Sequence, residues 1–119
     1  MTITLDRAEF DKRCRDNGEN PTEPFWEESW TALVEYERYL KQKHNGKNIR
    51  AMRTWQGVKS KGLVRSTECR VLTGRGDGFA TLMMAGKRLS TDEHLVQKYP
   101  GYFSRRAVEK AKKRIAEWD

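Results

Sequence analysis

The chain has 119 residues, of which 36% are hydrophobic and 34% charged, with a formal net charge of +7. That length suits one domain around one modest core, and the composition suits a polar globular protein. The longest apolar runs, Ala32-Leu33-Val34 and Leu82-Met83-Met84-Ala85, are far shorter than the roughly 20 residues that span a bilayer, so no membrane partner is expected.

In chain order, Asp6 is placed to cap a first short helix, with Glu9 three residues on completing a capping-box pattern and Leu5 and Phe10 at the staple positions. Asn17-Gly18 supplies a left-handed stop. Thr22, with Pro24 in the first turn, starts a second helix in which Phe25, Trp26, Trp30, Leu33, Val34 and Leu40 recur at helical spacing until Asn45-Gly46. Its glutamates come early and Lys41 and Lys43 come last, an order that suits the helix dipole. Ile49, Met52, Trp55 and Val58 share one face of a third helix ending near Gly62, and residues 63–72 form a fourth.

Three glycines in five positions, Gly74 to Gly78, make a loop. It contains Arg75-Gly76-Asp77, similar to the integrin-recognition tripeptide but short enough to arise by chance; a structural turn is the plainer reading, and contact with an anion the other. Phe79 to Ala85 resumes an apolar helix that Gly86 stops. Ser90 with Glu93 reads as a capping box for a helix through Leu95 and Val96, ended by Tyr99-Pro100-Gly101. Ser104 caps the last helix, where Val108, Ala111, Ile115 and Trp118 share a stripe. No stretch alternates polar and apolar residues as a strand would. The expected fold is all-α, a compact single-domain bundle of about five to seven short helices over residues 1–119.

Catalytic motifs are missing: there is no Walker loop, no HExxH and no GxSxG. His44 and His94 have the intrinsic acidity of a general acid or base, but a lone histidine near a helix end is more often a cap or surface residue. Cys14 and Cys69, 55 positions apart and without neighbouring ligands, read as packed free thiols rather than a disulfide or a zinc site. No cofactor, no metal and no enzymatic activity are expected. The amino-terminal residues lack the basic start and apolar run of a secretory signal, so a cytosolic address is expected.

Charge is sorted along the chain. Residues 1–40 carry a net −5, residues 41–75 a net +9 and residues 76–119 a net +3. Ten cations in 35 residues create a field that attracts a polyanion and displaces its counterions. Helices three and four around Gly62 loosely resemble a helix-turn-helix, with Arg65, Ser66, Thr67 and Arg70 opening the second helix. The residues expected to contact a nucleic-acid backbone, or an acidic partner, are Lys47, Arg50, Arg53, Lys59, Lys61, Arg65 and Arg70. The competing readings are a merely solvated face, and neutralisation by the acidic residues of 1–40. The aromatic residues of the second helix read as core for Trp26 and Trp30, with Tyr36 and Tyr39 left open.

From Gly78 the run Gly-Phe-Ala-Thr-Leu-Met-Met-Ala-Gly-Lys-Arg-Leu-Ser-Thr-Asp-Glu-His-Leu-Val, then Tyr99-Pro100 and Phe103-Ser104, resembles a short helical module of uncharacterised bacterial and mobile-element proteins. The resemblance covers the last third of the chain and brings no binding or catalytic residues with it. It implies a prophage or mobile-element origin, and with that an alternative role: an inhibitor or adaptor, like the anti-CRISPR proteins, that docks on a host nucleic-acid-processing complex.

Overall fold

The computed structural model describes residues 2–74 and 78–119, with side chains from residue 6 onward. Among them run α1 (Thr2–Asp16), α2 (Pro24–Lys43), α3 (Met52–Lys61), α4 (Leu63–Thr73), α5 (Gly78–Met84), α6 (Asp92–Lys98) and α7 (Arg105–Trp118). Two single 3-10 turns, Arg88–Ser90 and Pro100–Tyr102, complete the set, and no described residue lies in a strand. The fold is all-α, as helical periodicity without strand alternation dictates. No helix among the described residues is long and apolar enough to cross a membrane. The loop tripeptide Arg75-Gly76-Asp77 and the Leu5 staple lie outside the described residues and side chains.

The chain forms two compact units, Met1–Ser66 and Thr67–Asp119. The sequence holds no linker, and the boundary accordingly falls inside α4. In the first unit the left-handed stops act where Gly and Asn permit them: Gly18 has φ 78°, Asn45 58° and Gly46 85°. α1 begins at Thr2, so Asp6 lies within the helix rather than capping it, and its carboxylate turns to Arg50 at 3.3 Å. α2 begins at Pro24. Thr22, expected to start it, instead donates its hydroxyl to Asn20 Oδ1 at 2.6 Å. Phe10 of α1, Trp30 of α2 and Trp55 of α3 meet ring against ring, with centroids 5.3 to 6.3 Å apart, and form the heart of this unit. Phe25, Trp26 and Leu33 are buried with them, so the tryptophans of α2 are core as expected. Tyr36 and Tyr39 are half-buried.

The second unit closes on Val71, Val96, Ala107 and Ala111, with Leu72, Phe103 and Val108 packed around them. The small alanines let α7 lie close against α6. Ser104 caps α7 as expected, its Oγ accepting from the Ala107 amide at 3.2 Å. α6 starts one residue later than its capping box predicts: Thr91, not Ser90, accepts from the His94 amide, at 3.1 Å. Two threonine contacts fix that register, since Thr91 Oγ1 also donates to the Arg88 carbonyl at 2.8 Å. Glu93 is thereby freed from capping and pairs with Arg114 inside the unit.

Candidate nucleic-acid interface

Of the seven residues expected to bind, Arg50 in the first unit and Arg70 in the second pair with carboxylates. Arg50 reaches back to α1, donating to Glu9 Oε1 at 3.0 Å and to Asp6 Oδ1 at 3.3 Å, and its guanidinium stacks 4.0 Å from the centroid of the Trp55 ring. The Glu9 hydrogen bond raises the Arg50 pKa and lowers that of Glu9, as expected of a mutually stabilising pair. Arg70 grips Asp92 with Nε at 2.8 Å and Nη2 at 3.3 Å, leaving a quarter of its side chain exposed. Both arginines thus hold helices of their own unit through carboxylates, with part of each side chain still exposed.

The helix-turn-helix reading is corrected. α3 and α4 are separated by Gly62 alone, at φ 85°. The first amides of α4 are already occupied: Leu63 N donates to Glu19 Oε1 at 2.8 Å and Val64 N to Glu19 Oε2 at 3.0 Å. A carboxylate stands where an incoming phosphate would have to bind. Ser66 and Thr67 are buried, 3% and 1% exposed, so of the side chains expected to open a recognition helix only Arg65 faces solvent.

What remains is centred on α3. Trp55 and Val58 turn inward, while Met52, Arg53, Gln56, Lys59, Ser60 and Lys61 are exposed. Met52, expected to share the apolar face with Trp55 and Val58, is 57% exposed at the first position of the helix. The carboxylates hydrogen-bonded to this segment all approach from its inner side. Glu37 Oε2 accepts from the Ala51 amide at 2.8 Å and from Trp55 Nε1 at 2.9 Å, which ties the start of α3 to the last turns of α2. Arg13 donates to the Trp55 carbonyl at 2.8 Å, and Asn17 to the Val58 carbonyl at 3.1 Å, which fixes α1 along one flank.

Beyond Glu37 lie further cations: Lys41 and Lys43 on the last turn of α2, Lys47 in the connection and Arg53 in the first turn of α3. All four are exposed, and none has an ion-pair partner among the described residues. Lys41 and Lys43 were not among the expected binders; their place at the end of α2 reads in sequence as a dipole effect. Lys59 lies near enough to Glu9 to lower that carboxyl's pKa, behind the larger effects of Arg50 and Arg13. Arg65 is exposed on α4.

No catalytic arrangement accompanies these residues. His44 is exposed at the end of α2 and His94 lies on α6. No group of three possible metal ligands occurs among the described residues. Both cysteines are free, and burial pushes the Cys14 thiol up to about 12, so it is unreactive in the folded chain. No protein-family model, curated protein or solved structure matches the chain.

Proposed function

We propose that the chain is a non-enzymatic nucleic-acid-binding protein whose contacts to the phosphate backbone come from the α2–α3 end of the first unit and from α3 itself. The observation that carries this reading is the sorting of charge in that unit. Asp6, Glu9, Glu19 and Glu37 are all drawn into contacts with the 50–64 segment, whereas α3 itself bears Arg53, Lys59 and Lys61 and no acidic residue. Lys41, Lys43, Lys47 and Arg53, exposed and without an ion-pair partner among the described residues, gain most from replacing the counterions of a phosphate backbone. Of the residues expected from sequence, Lys47, Arg53, Lys59, Lys61 and Arg65 stay in the proposal, joined by Lys41 and Lys43.

The test is a titration of labelled mixed-sequence duplex with the full chain at several salt concentrations. Affinity should fall steeply with salt, and each lost phosphate contact should lower the log–log slope by about one. Lys43→Ala with Lys47→Ala should lower it by about two. No complex at low salt, or an affinity flat with salt, refutes the reading.

A second reading is supported by a different observation: Met84 and Leu89, at the end of α5 and in the 3-10 turn after it, are 80% and 69% exposed. Large exposed apolar side chains close in sequence suit a protein partner. This reading makes the chain an inhibitor or adaptor on a nucleic-acid-processing complex, as the mobile-element resemblance implies. It predicts no autonomous nucleic-acid affinity, and a complex with such a protein that Met84→Glu with Leu89→Glu abolishes in co-purification.

A further inference from the structure

The outward face of α3 carries more than charge. Arg53, Gln56 and Ser60 stand at i, i+3 and i+7, on one line up the helix opposite Trp55 and Val58, with Met52 at its foot. All four side chains are exposed, and among the described residues no hydrogen bond uses the side chain of Arg53, Gln56 or Ser60. Arginine donates a two-pronged bond to guanine, glutamine pairs both ways with adenine, serine bonds either, and an apolar side chain meets the thymine methyl. A line of side chains that only solubilised the helix would need none of this bonding variety.

The rest of the unit narrows what such a face can enter. An α-helix, about 10–12 Å in diameter with its side chains, fits a groove about 12 Å wide, the major groove of B-form DNA, and the 10 residues of α3 give about 15 Å of length to lie in it. The major groove of A-form RNA is too narrow and deep for it. Single strands are bound largely by stacking bases on exposed aromatic rings; in this unit Trp26, Trp30 and Trp55 are buried and Tyr36 and Tyr39 half-buried, and the exposed rings, Tyr102 and Trp118, belong to the second unit. Lys59 and Lys61 leave the helix about 160° apart, one on each flank, placed towards the two phosphate walls of a groove.

We propose that α3 is a recognition helix that lies in the major groove of duplex DNA, with Arg53 and Gln56 reading base edges. The inference rests on the backbone-binding reading and adds to it sequence preference and the choice of duplex DNA. It also moves recognition from α4, whose start is closed by Glu19, to the helix before it.

The experiment is selection of the full chain against a randomised duplex pool, followed by titration of the enriched duplex, a scrambled duplex and the matching single strand. A short motif should be enriched. Gln56→Ala and Arg53→Lys should each reduce the preference for it over the scrambled duplex by about tenfold or more. For Gln56→Ala, affinity for the scrambled duplex should stay within about twofold, because Gln56 is none of the proposed phosphate contacts. Both side chains are exposed, and unchanged circular dichroism and melting establish that the variants fold. Salt-dependent binding with no enriched motif, a preference that survives both substitutions, or equal binding of the single strand overturns the recognition helix and leaves backbone binding standing. Failure to bind any duplex at low salt overturns both.

Discussion

Gly62 is required twice over. Its φ of 85° is open to glycine and strained for other residues, and a Cβ there would stand 3.0 Å from the Glu19 carboxylate that caps α4. Gly62→Ala should therefore cost roughly 1–3 kcal/mol in urea or guanidinium unfolding. A second residue-scale consequence concerns Glu93, 3% exposed. Burial, and then the charge of Asp92, raise its pKa above the ordinary 4.5, while Arg114 pulls it back. Between 4.5 and the raised value the folded chain holds a proton that the unfolded chain has released. This contribution to stability is complete below 4.5 and declines as pH rises through that window. Glu9 and Glu27, lowered by Arg50 and Arg7, act below 4.5, where their contributions are lost as pH falls. Stability measured against pH should thus lose its downward slope just above 4.5 in Glu93→Gln and keep its acid limb. Glu93→Ala, which strands Arg114 in the interior, should cost about 3–5 kcal/mol.

At the scale of elements, helix ends were largely legible because they depend on a few adjacent residues. The stops at Gly18, Asn45-Gly46, Gly62 and Gly86, the proline start of α2 and the Ser104 cap all lie where the sequence puts them. The errors occur where two nearby residues could do the same job. Ser90 and Thr91 are both competent caps, and the choice was made by Thr91 bonding Arg88 and by Glu93 turning inward to Arg114. Thr91→Ala should therefore destabilise by about 1 kcal/mol or more, and Ser90→Ala by no more than a few tenths, in thermal or chemical unfolding. Asp6 fails as a cap for a related reason: α1 extends past it to Thr2, and its carboxylate meets Arg50, in the connection before α3 and more than 40 residues away in sequence.

At the scale of the whole molecule the question is where the net positive charge points. Arg50 and Arg53 are three residues apart and indistinguishable by sequence, yet one clamps α1 against Trp55 and the other faces solvent. Arg50→Ala should lower stability, by about 1–3 kcal/mol as a charge-assisted contact is lost, and leave the salt slope of binding unchanged. Arg53→Ala should leave stability within about 0.5 kcal/mol and weaken binding. Paired melts and titrations of the two variants separate these outcomes.

The sequence by itself determined the all-α class, the helix boundaries at glycine and proline, the aromatic core of α2 and the concentration of cations in the middle third. Each of these follows from interactions within a few residues or from composition. Only tertiary structure decided that Arg50 and Arg70 pair with carboxylates, that Glu19 closes the start of α4, and that Glu37 ties α2 to the start of α3. A carboxylate selects its partner by distance in space, and helices brought together by Phe10, Trp30 and Trp55 set those distances across gaps that no local pattern records.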